Sequence, residues 1–498
     1  MRFSDLDGKR VGVWGLGRET RSLARQLTER LPRARLAVVV REDPTEPAPE
    51  PGWDRATIVG PEDAVDALSG CDVLVRSPGV SIYKPELREL SARGIATTTA
   101  TALWVAERSG HNVIAITGTK GKSTTAAVLA RLLSAAGVAH LAGNIGRPAL
   151  DLLDIPDRDW VVLELSSYQI ADLRRGPEVA AITNLYRDHL DWHRSEEAYR
   201  REKLRLFSLP GVLACAYPSN SADIAAAVAA CRRRIAFGGG DGWHVIDGGI
   251  AHPDGTSVAS RDLPLRGPHN ALNLCAALAA IDAAELPRPR LPAALTGVAP
   301  LPHRLQTVLD RDGVEWVDDS ISTTPESSLA AIDAFPGRPV VLIAGGHDRD
   351  QDYTELGRVA AERDVVLVVL PVTGSRLAKA AADGGLSHDR IVTADAMEDA
   401  VEAARLRAAP GSVVLLSPAA PSFNSYTNFE ERGDHFASLA ARTAEPGDRP
   451  GGVGGEERHQ RGSDHLAERA DPRDQQLAEA LSIDADRDVA VPRPRTKS

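Results

Sequence analysis

Short apolar runs that break off into glycine or small polar residues recur along the chain, each followed by a segment with apolar side chains at i, i+3 and i+4. Runs of that length rich in valine, isoleucine and leucine predict strands, and the 3.6-residue spacing predicts helices packed on them. Residues 9–28, KRVGVWGLGRETRSLARQLT, give the unit plainly: strand, Gly15-Leu16-Gly17, helix. Further strands are expected at 35–40, around 73–75 before Ser77-Pro78-Gly79, at 160–165 and at AAITNL (180–185). After a proline-rich link at 287–302 come strands at 315–317, 340–344 and 413–416. Strands alternating with helices require a parallel-rich sheet covered on its faces, so the fold class is α/β. At 498 residues the chain exceeds one ordinary core. Boundaries are expected near 98–110 and across the proline-rich link.

One strand ends differently from the rest. The stretch 111–125, HNVIAITGTKGKSTT, empties into glycines, Lys122 and hydroxyl residues before a helix predicted over 124–136. Gly118 and Gly121 let backbone N–H groups turn toward an anion, and the helix adds the positive end of its dipole. Thr119 and Lys120 complete the loop. Lys122 would reach the terminal phosphates of a nucleotide, and the Ser123 or Thr124 hydroxyl would ligate Mg²⁺. The loop is shorter than G-x-x-x-x-G-K-[ST], since Ile116 stands at the first glycine position. The plain alternative is a strand-to-helix turn.

Other polar residues sit where such a site would need them. Glu164 closes the strand VVLE at the carboxyl edge of the predicted sheet, where open α/β sheets place ligands; a metal role and a solvated strand-end acid both stay open. In Asp188-His189-Leu190-Asp191, His189 is either a second metal ligand or a loop histidine. The segment EEAYRREKLRLF predicts a helix with Tyr199, Lys203 and Leu206 at i, i+4 and i+7, so Lys203 points where apolar residues point. A buried lysine sheds its charge readily and suits covalent modification, while a long lysine can also snorkel out. After a glycine-rich hairpin at 238–258, GPHNALN starts a helix in which Asn270 and Asn273 either face one ligand or cap it. The Gly15-Leu16-Gly17 turn lacks a third glycine, with Thr20 in its place, so a dinucleotide is not expected there, and a ligand-free structural unit is the alternative.

Composition narrows this only a little. Hydrophobic content of 43% and charge of 26% are those of a globular chain. No run of about 18 uncharged apolar residues occurs, and MRFSDLDGKR has no apolar leader, so a cytoplasmic protein without membrane insertion is expected. The net charge of −11 argues against a nucleic-acid partner. Cys71, Cys215, Cys231 and Cys275 lack metal or redox spacing and read as plain thiols. From about 444 onward Gly, Pro, Asp, Glu and Arg dominate, which predicts a disordered tail with a short helix at 474–482.

In order along the chain, TGTKGKSTT, ELSSYQ, the DHLD of 188–191, Lys203, GPHNALN, PHRLQ, DDSISTTP and LSPAAPSFNSYTNFEERG resemble the Mur ligase family over residues 1 to about 440. The resemblance is greatest to members that add glutamate to UDP-N-acetylmuramoyl-L-alanine. It implies a UDP-binding Rossmann-like domain (1–100), an ATP-binding domain (101–298), and a C-terminal Rossmann-like domain for ATP and glutamate (299–443), followed by the tail (444–498). It further implies ATP as co-substrate, two Mg²⁺ ions, a monomer, and an acyl phosphate formed on the muropeptide carboxylate and attacked by the glutamate amine. Position by position it assigns ATP to Gly118, Thr119, Lys120, Gly121, Lys122, Ser123, Thr124, Asn270, Arg304 and Asp319. Metal goes to Ser123, Glu164, His189 and a carbamylated Lys203, with Lys122, His189 and Lys203 as the catalytic set. Gly15, Ser77, Asn144 and Ser166 face the UDP-muropeptide, and Thr323, Arg349, Ser422 and Phe429 the glutamate.

This chain departs from the members that add D-glutamate. Where those carry D-S-K-A-T-N, it has Asp319-Ser320-Ile321-Ser322-Thr323-Thr324. Arg349 replaces a lysine, Lys120 an asparagine and Phe423 a leucine. Arginine and lysine present carboxylates with different geometry, so the amino-acid pocket is expected to be rebuilt. The pattern resembles the branch that adds L-glutamate and leaves inversion to a separate epimerase. D-glutamate ligation with an unusual loop is the alternative; a non-catalytic UDP-muropeptide sensor and a folate polyglutamate ligase fit the motifs less well.

Overall fold

The computed structural model describes residues 1–41, 53, 55–135, 137, 139–188, 190–423 and 425–442. His189 and the expected tail with its helix at 474–482 lie outside the described residues. The chain forms two compact units, residues 1–263 with 272–298 and residues 264–271 with 299–442. Each is an α/β assembly, as the alternation of strands and helices requires. No helix among the described residues is long and apolar enough to cross a membrane.

The first unit contains two all-parallel sheets. One runs, in spatial order, Thr57–Val59, Arg35–Val40, Arg10–Trp14, Val73–Arg76 and Ala96–Thr98. The other runs Arg233–Phe237, Ala214–Pro218, Val179–Ile182, Val113–Thr117, Trp160–Glu164 and Ala139–Gly143. Its central strand VIAIT is buried throughout because helices cover both faces, which is why it reads as an unbroken apolar run. A small antiparallel meander, His244–Ile246, Gly249–Ala251 and Ser257–Ala259, occupies the glycine-rich stretch.

The stretch around 98–110, where a boundary is expected, carries a buried helix. Thr99 caps the helix Ala100–Glu107 by accepting from Ala102 N, and Ala100 through Val105 are all buried. Leu103 and Trp104 join a hydrophobic cluster that contains side chains of both sheets, Val11 and Val13 from one and Val113 and Ala115 from the other. Truncating Trp104 to alanine removes a fully buried ring at about 3–5 kcal/mol.

The second unit has one six-stranded sheet in the order Gln306–Arg311, Val314–Asp318, Val413–Leu416, Val340–Gly345, Val366–Leu370 and Ile391–Thr393, parallel except for the first pair. One face packs Ile332, Leu356 and Leu377 from three helices, and the other packs Met397, Val401 and Phe436 from two. The last parallel strand, Val413–Leu416, lies between strands 314–318 and 340–345. Three polar loops therefore leave the carboxyl ends of adjacent strands at 319–324, 346–353 and 417–428, the position at which open α/β sheets hold ligands.

Candidate active site

The loop after strand Val113–Thr117 is a shaped backbone cradle. Gly118 has φ +141°, and a Cβ there would stand 1.9 Å from Thr183 Oγ1; Gly121 has φ +79°, and its Cβ would stand 2.2 Å from Asn273 Oδ1. Only glycine fits either position without a shift. The helix begins at Lys122, two residues before the predicted start, with Gly121 as its left-handed cap. The end of the next strand fastens the loop: Thr119 N and Lys120 N donate to Asn184 Oδ1 (3.2 and 2.8 Å), and Thr183 Oγ1 donates to Lys120 O (2.6 Å). Lys120 itself is exposed and pairs with Asp188 at 3.6 Å. The Thr124 hydroxyl is buried without a hydrogen-bond partner, while Ser123 is only half-buried at the rim.

Three charged side chains converge on this cradle. Lys122 Nζ donates to Thr119 O (2.8 Å). Lys203, 1% exposed, donates to Gly118 O (2.8 Å) and lies 5.0 Å from the centre of the Tyr199 ring. The expected apolar face is real, with Tyr199 and Leu206 both fully buried, so the lysine does not snorkel out. Burial drives the Lys203 amine well below its ordinary range, and the Lys122 charge adds to the effect, while Asp188 and Glu164 oppose it. Glu164 is fully buried at the end of its strand, paired in register with Ile116. Asn144 Nδ2 donates to Glu164 Oε1 (3.0 Å), and Glu164 Oε2 is buried with no hydrogen-bond partner.

An orphaned carboxylate oxygen beside a phosphate cradle is the observation that tests a metal here, because a buried acceptor left unpaired costs about 1–3 kcal/mol. Among the described residues no three His, Cys, Asp or Glu side chains are placed so that they could hold a metal ion together. Mg²⁺ tolerates that arrangement, since it commonly takes one or two carboxylates and completes its shell with phosphate oxygens and water. The unpartnered Glu164 Oε2 has the chemistry such an ion takes.

The four residues expected to face a UDP-muropeptide also lie in the first unit. Gly15 (φ +85°) packs against Ser77, to which a Cβ would approach within 3.0 Å. Thr20, in the third-glycine position, donates to Gly15 O (3.1 Å) and accepts from Gly17 N (3.0 Å), so the hydroxyl locks the turn that a glycine would have left open. Asn144 is exposed between Gly143 and Gly146, both in positive-φ conformations. Ser166 caps a short helix and shares hydrogen bonds with Gln169, a capping box.

The remaining expected residues are in the second unit. Asp319 is buried, accepts from Ser417 Oγ (2.8 Å) and Leu305 N (3.2 Å), and is pushed up to about 6 by burial, against the pull of its hydrogen bonds and of Arg304. Asn270 Nδ2 donates to Arg266 O (2.7 Å). Thr323 O accepts from Gln351 Nε2 (3.0 Å), which ties two of the three polar loops together. Arg349 is exposed and lies 5.8 Å from the ring centre of exposed Phe423, linking the second loop to the third. Ser422 is buried, and Phe429 opens the helix Phe429–Ala441 with its carbonyl accepting from Ser320 Oγ (2.7 Å).

Sequence reasoning passed over Arg432. It is 2% exposed and donates to Ser320 Oγ (2.9 Å), Ser320 O (2.8 Å) and Ala420 O (3.0 Å), bracing the 319–324 loop against the 417–428 loop; burial draws it down to about 10. The spacing of Phe429, Arg432 and Phe436 on one helix face was the available signal, the same one that singled out Lys203. Thr183 and Asn184, which fasten the phosphate loop, carried only the weak signal of polar residues ending an apolar strand.

Residues 116–281 match the Mur ligase middle domain, and residues 303–420 match the Mur ligase, glutamate ligase domain. The UDP-N-acetylmuramoyl-L-alanine–L-glutamate ligase of Salinispora tropica is 40% identical over 465 residues, covering 89% of this chain and 100% of that one. The protein of the same name from Xanthomonas axonopodis pv. citri is 40% identical over 457 residues, covering 88% and 97%. Among solved structures, MurF from Acinetobacter baumannii is similar with a TM-score of 0.55 at 20% identity, covering 86% of this chain and 90% of that one. UDP-N-acetylmuramate-alanine ligase MurC from Thermotoga maritima gives 0.53 at 16%, covering 86% and 98%. At these identities the structural likeness concerns the fold.

Proposed function

Because this chain belongs to the Mur ligase family, and is thereby an ATP-dependent, ADP-forming acid–amino-acid ligase, we propose that it joins L-glutamate to UDP-N-acetylmuramoyl-L-alanine in peptidoglycan precursor synthesis. The substrate reading is supported by 40% identity to L-glutamate ligases over nearly their whole length. The chemistry is supported by one observation above the others, the buried and unpartnered Glu164 Oε2 beside the Gly118–Lys122 cradle. We place the reaction in the cytoplasm, carried out by a monomer with two Mg²⁺ ions, in a chain of three domains divided near residues 100 and 298. The L-glutamyl product would then require a separate epimerase.

In this reading the backbone N–H groups of the loop and Lys122 hold the ATP phosphates, and screen the charge that builds as two anions approach. Bound magnesium would supply further charge neutralisation on the transferred phosphoryl group. Glu164 and Ser123 would hold one ion, with Asn144 fixing the carboxylate through Oε1 so that Oε2 faces it. Lys203, whose burial favours the uncharged amine, would add CO₂ with loss of a proton to become a carbamate, and would with His189 help hold a second ion. By the family resemblance, Asp319, Arg304 and Asn270 would also contact the nucleotide. Thr323, Arg349, Ser422 and Phe429 would orient glutamate so that its amine, not water, meets the acyl phosphate.

The experiment is a ligation assay on purified protein with UDP-N-acetylmuramoyl-L-alanine, ATP and either L- or D-glutamate, following ADP release and product mass. L-glutamate should be preferred by at least an order of magnitude in kcat/KM. Preference for the D-isomer would overturn the substrate assignment, and absence of ADP release with both would overturn the ligase reading.

A further inference from the structure

The helix that follows Gly15-Leu16-Gly17 opens with Arg18 and Glu19, two residues that no motif singled out, and both reach across to the second sheet of the same unit. Arg18 Nη2 donates to Asn144 O (2.7 Å) and Nη1 to Gly146 O (3.0 Å), a two-pronged grip on the turn between two positive-φ glycines. That turn positions Glu164. Asn144 N donates to Glu164 O and Asn144 Nδ2 to Glu164 Oε1, both at 3.0 Å. Glu19 accepts from Gln169 Nε2 (2.6 Å) and Thr101 Oγ1 (2.9 Å). Gln169 Oε1 in turn accepts from Ser166 N (2.8 Å) and Ser166 Oγ (2.9 Å).

We propose that Arg18 and Glu19 are positioning residues that make the glycine turn at the head of this helix, the Asn144 and Ser166 side chains, and the metal-facing carboxylate of Glu164 one mechanical unit. This rests on the function proposed above and deepens it. A diphosphate-bearing substrate seated on the Gly15–Gly17 turn settles the helix start. Through Arg18 that fixes the Asn144 turn, and through Asn144 the direction of Glu164 Oε2. The guanidinium suits the task because its planar fork meets two carbonyls in one orientation, which an ammonium does not. Glu19 serves the other arm by accepting without donating, which forces Gln169 to present its oxygen to Ser166. Occupation of the sugar-nucleotide site and readiness of the cation site are therefore coupled, so an empty first site leaves Glu164 less well aimed.

The test uses the full-length protein and the variants Arg18→Ala, Arg18→Lys and Glu19→Gln. Calorimetry reads the affinity for UDP-N-acetylmuramoyl-L-alanine, and paramagnetic titration reads Mn²⁺ bound with ADP, each with and without the other ligand. Outer-shell partners of metal ligands typically matter by 10- to 100-fold, so Arg18→Ala, at an exposed position where folding is not at stake, should weaken Mn²⁺ with ADP by about tenfold. It should also abolish the gain in Mn²⁺ affinity that the sugar nucleotide confers on the wild type, with Arg18→Lys recovering only part. Glu19→Gln should raise KM for the sugar nucleotide more than it lowers kcat. Unchanged Mn²⁺ affinity and unchanged coupling in Arg18→Ala would overturn the proposal. Failure of the wild type to bind the sugar nucleotide would count against the proposed substrate instead, and the Mn²⁺ arm with ADP alone would still decide whether Arg18 governs Glu164.

Discussion

Replacing Lys203 by methionine separates a chemical role from a packing role, because the two predict opposite signs for stability and activity. The side chain is 1% exposed, with one hydrogen bond, to Gly118 O at 2.8 Å. Methionine keeps the length and apolar stem and removes the amine. Removing a buried polar head relieves about 1–3 kcal/mol of desolvation, and the lost hydrogen bond takes back about 1 kcal/mol. The variant should be neutral to about 2 kcal/mol more stable, which for a unit of this size is a rise in Tm of a few degrees. Activity should move the other way. Losing the carbamate that would help hold the second ion costs about 10²–10³ in kcat by analogy with single electrostatic groups, and added bicarbonate should not restore it. Thermal melts and ADP release on one preparation measure both. A variant that melts at or above the wild-type temperature and keeps more than a tenth of its kcat would remove Lys203 from the mechanism. One that is clearly destabilised would show that the amine is structural.

Gly118→Ala forces a Cβ to 1.9 Å from Thr183 Oγ1 at φ +141°, so it should cost about 1–3 kcal/mol of stability and weaken ADP binding at least tenfold; calorimetry showing full affinity would refute the cradle. Asp319, raised to about 6, holds its proton to higher pH in the folded than in the unfolded chain, so stability falls as pH rises between about 4 and 6 and stays lowered above. Asp319→Asn should remove that pH dependence and stabilise the protein at pH 8 by up to about 3 kcal/mol while lowering ligation, and parallel melting curves of variant and wild type across this range would contradict the assignment. Arg349 has no carboxylate partner among the described residues and is exposed, so Arg349→Ala should leave Tm within about one degree and raise the glutamate KM about tenfold to a hundredfold; an unchanged KM would take it out of the amino-acid site.

Most of the fold was legible because burial on both faces leaves a direct trace. VIAIT, VVLE and VVLL read as strands since nothing polar is tolerated along them, and each carries its polar residues at the carboxyl end. Helix starts were less legible. The helix after the phosphate loop begins at Lys122 because Gly121 takes a left-handed conformation, which no periodicity reports. The helix Ala100–Glu107 was not legible for a related reason: apolar side chains all round a short helix leave no amphipathic period. Phosphate-loop residues were legible through glycine placement, Lys203 through its spacing. Arg18, Glu19, Thr183 and Asn184 were not, since each acts through partners tens of residues away, and local pattern carries no information about those.

Lys203, which periodicity singled out, shares with Arg432 and Asp319 a property that bears on how such sites can be found. Lys203, Arg432 and Asp319 are charged or ionisable groups held almost without solvent, and in each the largest influence on its proton equilibrium is burial, not a partner. Burial of that kind opposes folding, so packing alone gives no reason to place a lysine between Tyr199 and Leu206 or an arginine between Phe429 and Phe436. A charge on an apolar helix face is therefore a stronger sign of function than the same residue in a polar loop, because the loop tolerates it at no cost. Read that way, Lys203 and Arg432 point to the two places where position matters most: the phosphate cradle of the first unit, and the paired strand-end loops of the second.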